Sequence, residues 1–331
     1  MACIIPRRII NRHYVKIADE LNEDVHQYEG RDDFYVDVPC GRCINCVNSY
    51  MTKWRTRLND EWGYMSSDAR SNSYFVTLTF SDKYLKAPDF DVYKCKYRFI
   101  DRLRKKHGST PRYWIITEYG EKKGRLHLHG LFFDVQFPIH ELDELWQYGL
   151  VDYSIMSQDC IKYCTSYITK GNDDIIVPKH KIQRVFCSPG IGKAYTEDVA
   201  NYRYHHPSPG VLNPIMQNDS QYLIAMPRYY RQKLFTPDEL EDMKTAYFAE
   251  LSDDVIPDPP YYIGKRKFID YTLYLSEIKK YFPDYEKHYK KIIPKNIKPW
   301  QVTLKTRCPS TSKLILQEEN EATSIGATKT E

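Results

Sequence analysis

Two histidines separated by a single leucine are the first residues in this sequence equipped for chemistry: Arg125-Leu-His127-Leu-His129-Gly-Leu-Phe-Phe133. The run reads as a strand, and in a strand residues two apart point to the same face. His127 and His129 therefore project together while Leu126 and Leu128 face the other way. Two adjacent imidazoles are natural ligands for a divalent metal. Alone, the pair also fits two half-exposed strand histidines. The preceding run, Tyr113-Trp-Ile-Ile-Thr-Glu-Tyr119, reads as a second strand, and the glycine-flanked turn after it makes a hairpin. If Glu121–Gly124 form the loop, Gly120 faces Arg125 and Glu118 faces His127, which sets a carboxylate against both imidazoles. A one-residue slip turns Glu118 to the wrong face and leaves Glu121 as the fallback ligand. A mixed His/carboxylate set suits Mg2+ or Mn2+ bound alongside phosphate oxygens, and Zn2+ could also occupy it.

A third element follows in Lys162-Tyr163-Cys-Thr-Ser-Tyr167-Ile-Thr-Lys170. On a helix, Tyr163, Tyr167 and Lys170 are four and three residues apart and share one face. Two phenols and an ammonium on one stripe are an odd way to pack a core, although an amphipathic tyrosine face is the plainer alternative. A tyrosine hydroxyl titrates near pH 10, so as a nucleophile it needs a lysine or a metal to stabilise the phenolate.

The cysteines pose a separate question. There are nine, an odd number, and Cys40, Cys43 and Cys46 fall within seven residues. That is a poor disulfide framework and a plausible thiol or metal cluster in a reducing cell. Three thiolates lack one ligand for a closed structural zinc site, and Cys3, His13 and Cys187 are the candidates for the fourth. The competing reading is a reduced, partly buried trio that positions the helix after it.

These groups must be held by a framework, and the hydrophobic pattern supplies one. Val47–Met65 reads as a helix with Trp54, Leu58 and Trp62 on one stripe and Arg55 and Arg57 off it. Tyr74–Phe80 (YFVTLTF) is aromatic and β-branched, hence a strand. Residues 91–107 form a basic amphipathic helix ending before Gly108; Ile139–Gln147 and Cys160–Lys170 are shorter helices. Ser188-Pro-Gly-Ile-Gly192 is a tight loop and Pro227-Arg-Tyr-Tyr-Arg231 a basic aromatic segment. The expected fold is α+β, an antiparallel sheet with helices on one face.

Composition narrows the class. The chain has 331 residues, 42% of them apolar and 28% charged, which fits a globular protein with a real core. No apolar run approaches a membrane span, and the start lacks the apolar core of a secretory signal, so the expectation is a cytoplasmic protein with no membrane contact. Net charge is only +4, but Lys and Arg cluster at 102–106, 121–125 and 287–298, and there are 29 tyrosines. Cations interleaved with aromatic rings suit single-stranded nucleic acid, where bases stack and phosphates pair.

Taken together, YFVTLTFSD at Tyr74–Asp82, the strand carrying His127 and His129, and the Tyr163–Lys170 segment resemble the three motifs of HUH rolling-circle replication proteins. In detail the sequence resembles replication initiators of the microviruses, small single-stranded-DNA bacteriophages, especially the gokushovirus branch. Val38-Pro-Cys40-Gly-Arg-Cys43-Ile-Asn-Cys46, the Glu118–Arg125 hairpin, Ser188–Gly192 and Pro227–Tyr230 add to it, over roughly residues 38–235. The resemblance implies a ferredoxin-like (RRM-like) antiparallel sheet with flanking helices, an N-terminal Cys-rich segment and a C-terminal extension. It implies that His127, His129 and Glu118 hold Mg2+ or Mn2+, that Tyr163 or Tyr167 attacks the DNA to leave a 5′-phosphotyrosine, and that Lys170 assists. The implied partners are single-stranded DNA at the replication origin and the host DNA polymerase and helicase, in the host bacterial cytoplasm. Cys164 departs from the pattern, which there expects an apolar residue.

The resulting division is an N-terminal segment (1–36), a Cys-rich segment and helix (37–70), an endonuclease core (71–195), a helical and basic extension (196–300) and a disordered tail (301–331). Rival readings are a non-enzymatic single-strand binder, a metal-dependent phosphohydrolase using water, and a relaxase or transposase within the same class.

Overall fold

Strands and helices follow one another in short alternation, as the shifting hydrophobic period predicts. In the computed structural model the described residues are 3–4, 6–31, 34–120, 124–170, 183–217, 223–249, 261–263, 266–268, 273, 276–277 and 280. The fallback ligand Glu121, the Asp/Pro-rich stretch 253–260, the basic run 287–298 and the tail 301–331 lie outside them. The elements are β1 (Arg7–Ile10), α1 (Arg12–Leu21), β2 (Tyr35–Val38), α2 (Ile44–Gly63), α3 (Ser67–Ser71), β3 (Tyr74–Thr79), α4 (Asp82–Leu85), α5 (Val92–His107), β4 (Arg112–Tyr119), β5 (Leu126–Phe133), α6 (Glu141–Trp146), β6 (Val151–Ile155) and α7 (Gln158–Ser166). There follow β7 (Val185–Cys187), α8 (Lys193–Glu197), α9 (Val199–His205), β8 (Ile215–Gln217), β9 (Leu223–Ala225), α10 (Arg228–Leu234), α11 (Pro237–Ala249), β10 (Tyr261–Ile263) and β11 (Arg266–Phe268).

Val47–Asp198 form one compact unit; Met1–Cys46 and Val199–Glu331 contribute to a second. The first is built on a five-stranded sheet in the order β6-β3-β5-β4-β7, with every neighbouring pair antiparallel. Without β7, this is the ferredoxin-like arrangement: β3, α5, β4, β5, α6 and β6 run as βαββαβ, with the first and third strands central.

The sheet is covered on both faces, which corrects the expectation of helices on one side. One face buries Val76, Leu78, Ile115, Leu126, Leu128 and Phe132 beneath Phe99 and Leu103 of α5 and Leu142 and Trp146 of α6. The other buries Trp114, Ile116, Leu131 and Phe133 beneath Leu58 of α2 and Ile161 and Cys164 of α7. The physical reason lies in β4 and β5, which are apolar at odd and even positions alike near their centres, so a sheet bare on one side would leave indoles and phenyl rings in water. Cys164, fully buried here, acts as the small apolar residue its position requires.

Local signals set the boundaries. Asp91 caps α5 by accepting from the Tyr93 amide at 2.7 Å, and Gly108 ends it at φ +72° behind a last turn of Arg104, Lys105, Lys106 and His107. Helix α7 stops at Ser166, short of the expected Lys170. Beyond it the backbone tightens to i→i+3 bonds at Tyr167, Ile168 and Thr169, while the Ser166 and Thr169 hydroxyls bond the carbonyls of Tyr163 and Ser166. Two strands of this sheet escaped the sequence pattern: β6, largely exposed at the edge, and β7, three residues long. Cys187, a candidate zinc ligand, sits on β7 across from Trp114.

The arginines off the α2 stripe have structural roles. Arg57 donates twice to the Ile191 carbonyl, at 3.0 and 2.8 Å, and Glu61 accepts from the Gly192 amide at 2.6 Å while pairing with Arg112. These contacts anchor the Ser188–Gly192 loop. In the second unit β1 pairs with β2, Phe34 is buried against Tyr14, and Tyr230 of the basic aromatic segment is fully buried on α10.

One close approach is decisive for the sheet. A Cβ on Gly149 would lie 2.3 Å from the Thr79 carbonyl oxygen, beside the bonds Thr79 N–Leu150 O and Ser81 N–Tyr148 O. Backbone cannot yield as a side chain can. Gly149→Ala should therefore destabilise the protein by about 2–3 kcal/mol, the upper part of the overpacking range, read from urea denaturation of the full chain; an unchanged midpoint would contradict this packing.

Candidate active site

The hairpin register places the first ligands. Glu118 pairs with His127 and Ile116 with His129 across β4 and β5, as the four-residue loop requires, and the Gly120 amide donates to the Arg125 carbonyl at 2.9 Å. Gly124, at φ +58°, supplies the left-handed residue of the turn. Arg125 then reaches back to Asp82 at 2.5 Å and to the Phe80 carbonyl at 2.6 Å, locking the hairpin base to the end of β3.

On the face covered by α2 and α7, His129 Nε2 lies 2.7 Å from Glu118 Oε2, and Lys170 Nζ lies 3.1 Å from Glu118 Oε1. Burial opposes the charge on Glu118, but the bonds from His129 and Lys170 outweigh it and hold the carboxyl below its ordinary range. Burial pushes the His129 imidazole the other way, toward the neutral form a metal ligand needs, against the pull of Glu118. Its remaining nitrogen, Nδ1, is 3.2 Å from Thr77 Oγ1 on β3. Phe75 stacks on the same imidazole at 5.6 Å.

Helix α7 and the turn after it bring the phenols over this carboxylate–imidazole pair. The Tyr167 ring stacks on His129 with centroids 4.9 Å apart, and the Tyr163 ring meets it edge-on at 6.0 Å. The Tyr167 hydroxyl donates to the Tyr163 hydroxyl oxygen in a short hydrogen bond. Because the last turn is of i→i+3 type, Lys170 eclipses Tyr167, and its ammonium lies 4.7 Å from that ring's centre. The two phenols differ sharply in access: Tyr163 is 50% exposed and Tyr167 only 3%. Burial and the bond to Tyr163 keep the Tyr167 hydroxyl well above its ordinary titration range, so it stays a donor.

His127 stands apart from this cluster. Its Nδ1 is buried without a hydrogen-bond partner, beside Gly120, where an added Cβ would lie 3.4 Å from the ring. The donor types fit a hard divalent ion, and the unpartnered imidazole nitrogen is what an ion would satisfy. With Glu118 drawn to His129 and Lys170, however, the three ligand groups do not all fall within 4.8 Å of one another; among the described residues only a cysteine quartet does.

Tyr163, Tyr167, Lys170, Glu118 and His129 thus form one contiguous group, with His127 one register step along β5. Sequence reasoning missed Thr77 and Phe75, although the alternation of YFVTLTF carried the signal: once β3 lies beside β5, Thr77 faces His129 and Thr79 faces His127. It also missed Arg55, whose Nε donates to Thr165 Oγ1 at 3.0 Å and so pins α7 to α2.

Comparison with known proteins bears on the whole region. Residues 73–172 match the family model for replication-associated protein ORF2. The chain is 26% identical over 278 residues to replication-associated protein VP4 of Bdellovibrio phage phiMH2K, covering 73% of this chain and 84% of that one. It is 26% identical over 226 residues to replication-associated protein ORF2 of Spiroplasma virus 4, covering 59% and 69%, and 27% identical over 176 residues to replication-associated protein ORF4 of Chlamydia phage 1, covering 44% and 41%. No solved structure matches it. No described helix is long and apolar enough to cross a membrane. The paired phenols, Lys170, both histidines and Glu118 all fall inside the segment that matches the replication-associated ORF2 family, and the chain is similar to the replication-associated proteins of phages.

Proposed function

We propose that this chain is a replication initiator that nicks and rejoins single-stranded DNA at the origin, with Tyr163 as first nucleophile and a 5′-phosphotyrosine as intermediate. The observation that carries the reading is the hydroxyl-to-hydroxyl bond between Tyr163 and Tyr167, directly over His129 and Glu118. The two phenols, four residues apart, bring their hydroxyls together while both rings lie against His129.

Tyr163 is the accessible phenol, and its oxygen accepts a hydrogen bond from the Tyr167 hydroxyl, a bond that strengthens as negative charge develops on it. Attack joins that oxygen to the scissile phosphorus and expels the 3′-oxygen. The proton lost by the phenol balances the one gained by the new 3′-OH, which a host polymerase can extend. Mg2+ or Mn2+ held by His127, His129 and Glu118 would supply Lewis-acid polarisation of the scissile phosphate. Lys170, between Glu118 and the Tyr167 ring, would fix the carboxylate and place a positive charge beside that phenol. After one round, Tyr167 would take the second cleavage, releasing a unit-length circle. The site of action would be the host bacterial cytoplasm, with the host helicase opening the duplex.

Incubating the protein with an origin-containing single strand and Mn2+, then running a denaturing gel and mapping the adduct peptide, tests the reading. A covalent adduct on the 163–170 peptide is the expected result. Tight binding without any adduct would favour a non-enzymatic binder, and product formed without adduct would favour hydrolysis by water.

Three outcomes are expected of variants. His127→Ala and His129→Ala should abolish nicking with the fold retained by circular dichroism; wild-type cleavage by both would sink the metal-site assignment. Tyr163→Phe should depress adduct formation more than Tyr167→Phe, each single variant should retain some adduct while failing to release circles, and the double variant should form none. If one variant removes every adduct and the other behaves as wild type throughout, the enzyme uses a single tyrosine. The third concerns the basic run at 102–106. Arg102 bonds the carbonyls of Leu145 and Trp146, Lys105 meets Asp101, and Lys106 meets Glu141 and Glu144, all on α5 and α6, which cover the sheet face opposite His129. Lys105→Gln should therefore leave the salt dependence of DNA binding unchanged, whereas a true phosphate contact would remove roughly 0.7 from the log–log slope.

A further inference from the structure

Four sulfurs meet where three cysteines were adjacent in sequence. Cys3, Cys40, Cys43 and Cys46 place their Sγ atoms all within 4.8 Å of one another. Cys40 and Cys46 are 4.0 Å apart and Cys3 and Cys43 are 3.9 Å apart. None of the four takes part in the site built on β5 and α7, and none is in a disulfide. We propose that they hold one Zn2+ as a closed, structural tetrathiolate site, with Cys3 as the fourth ligand, independently of the nicking reaction.

The spacing is the first reason. Four Zn–S bonds of about 2.3 Å directed to the corners of a tetrahedron set the sulfurs about 3.8 Å apart, and the Cys40–Cys46 and Cys3–Cys43 separations come close to that. A disulfide brings its sulfurs to about 2.0 Å, half the distance seen. A four-iron cluster interposes its own cube of iron and sulfide and holds its thiolates farther apart than a single ion does, so the Cys-x-x-Cys-x-x-Cys spacing, which would serve either, is resolved here toward one ion.

Backbone polarity is the second reason. The amides of Arg42 and Cys43 both point at Cys40 Sγ, at 3.4 and 3.2 Å; the Cys40 amide points at Cys3 Sγ at 3.2 Å, and the Ile4 amide at Cys43 Sγ at 3.4 Å. Gly41 makes the first pair possible: it turns at φ +73°, folding the chain back so that two successive amides face the sulfur before them. Four N–H groups directed at three sulfurs is the environment of thiolates rather than thiols, and four thiolates crowded without a cation would repel one another. His13 and Cys187, the other sequence candidates, are not among the four: His13 packs edge-on to Tyr14 on α1, and Cys187 pairs with Trp114 on β7. An ion here would tie the residues before β1 to the loop after β2 and to the first turn of α2. A short two-stranded ladder cannot hold such a junction alone.

The test is metal content of the full chain, expressed with zinc supplied and purified in reductant without chelator. About one zinc per chain is expected beyond any held at the histidine site, and Cys3→Ser and Cys43→Ser should lose it, whereas Cys187→Ser and His127→Ala should keep it. Because a cysteine variant can lose metal simply by folding poorly, the unmutated chain reconstituted with Co2+ provides a second reading: intense thiolate-to-metal absorption with the visible bands of a tetrahedral four-sulfur site. Zinc content undiminished in Cys3→Ser, a cobalt spectrum without sulfur ligation, or bound iron with acid-labile sulfide would each overturn the proposal.

Discussion

The pairing of Glu118 with His127 across β4 and β5 is the constraint on which the candidate site rests. Side chains in a strand alternate with period two, so this single register sends Glu118, His127 and His129 to one face and Leu126 and Leu128 to the other. Every later feature depends on that choice. The leucines enter the apolar layer under α5 and α6, and the polar trio is left beneath α7, where it meets the phenols. A slip of one residue would bury two imidazoles in the apolar layer under α5 and α6 and set two leucines against Glu118, Lys170 and the phenols. The cost of that exchange, several kcal/mol in desolvation and lost burial, is what holds the register.

A buried carboxylate is tolerable only with partners, and Glu118 has two, of opposite chemical character. Burial pushes the His129 imidazole toward its neutral form, while the bonds from His129 and the Lys170 ammonium hold the Glu118 carboxyl below its ordinary range. The same economy of groups explains why the two phenols are inequivalent. Tyr167 is packed flat on His129 and loses solvent, which keeps its proton in place; Tyr163, one turn earlier, lies at the edge and accepts a hydrogen bond from it. The two phenols are chemically identical, and depth of burial sets them apart.

The two metal candidates in this chain divide by ligand softness. Nitrogen and oxygen donors gather on the sheet, suited to a hard ion exchanging with phosphate, and they are loosely assembled, with His127 Nδ1 unpartnered. Sulfur donors gather near the start of the sequence, closed on four sides and fed by backbone amides, suited to an ion that never meets substrate. Openness in the first and closure in the second follow from what each would do.

Much of this was legible in the amino-acid order, because its signals are local. Aromatic and β-branched runs marked β3, β4 and β5, period two put His127 and His129 on one face, the glycine-flanked loop set the hairpin register, and Gly108 ended the basic helix α5. The Tyr163–Lys170 stripe was visible too, although its last turn is tighter than a regular helix, since hydroxyls of Ser166 and Thr169 compete for the carbonyls. Only the tertiary structure decided the rest. It added β6 and β7, whose exposed or very short runs carry no periodicity, and covered the second sheet face with α2 and α7. It brought Cys3, rather than His13 or Cys187, beside the other three cysteines, engaged Arg102, Lys105 and Lys106 of α5 in contacts with α6 and their own helix, and buried one tyrosine while exposing the other. Each of these depends on which distant segment fills the space beside a residue, and sequence spacing holds no information about that.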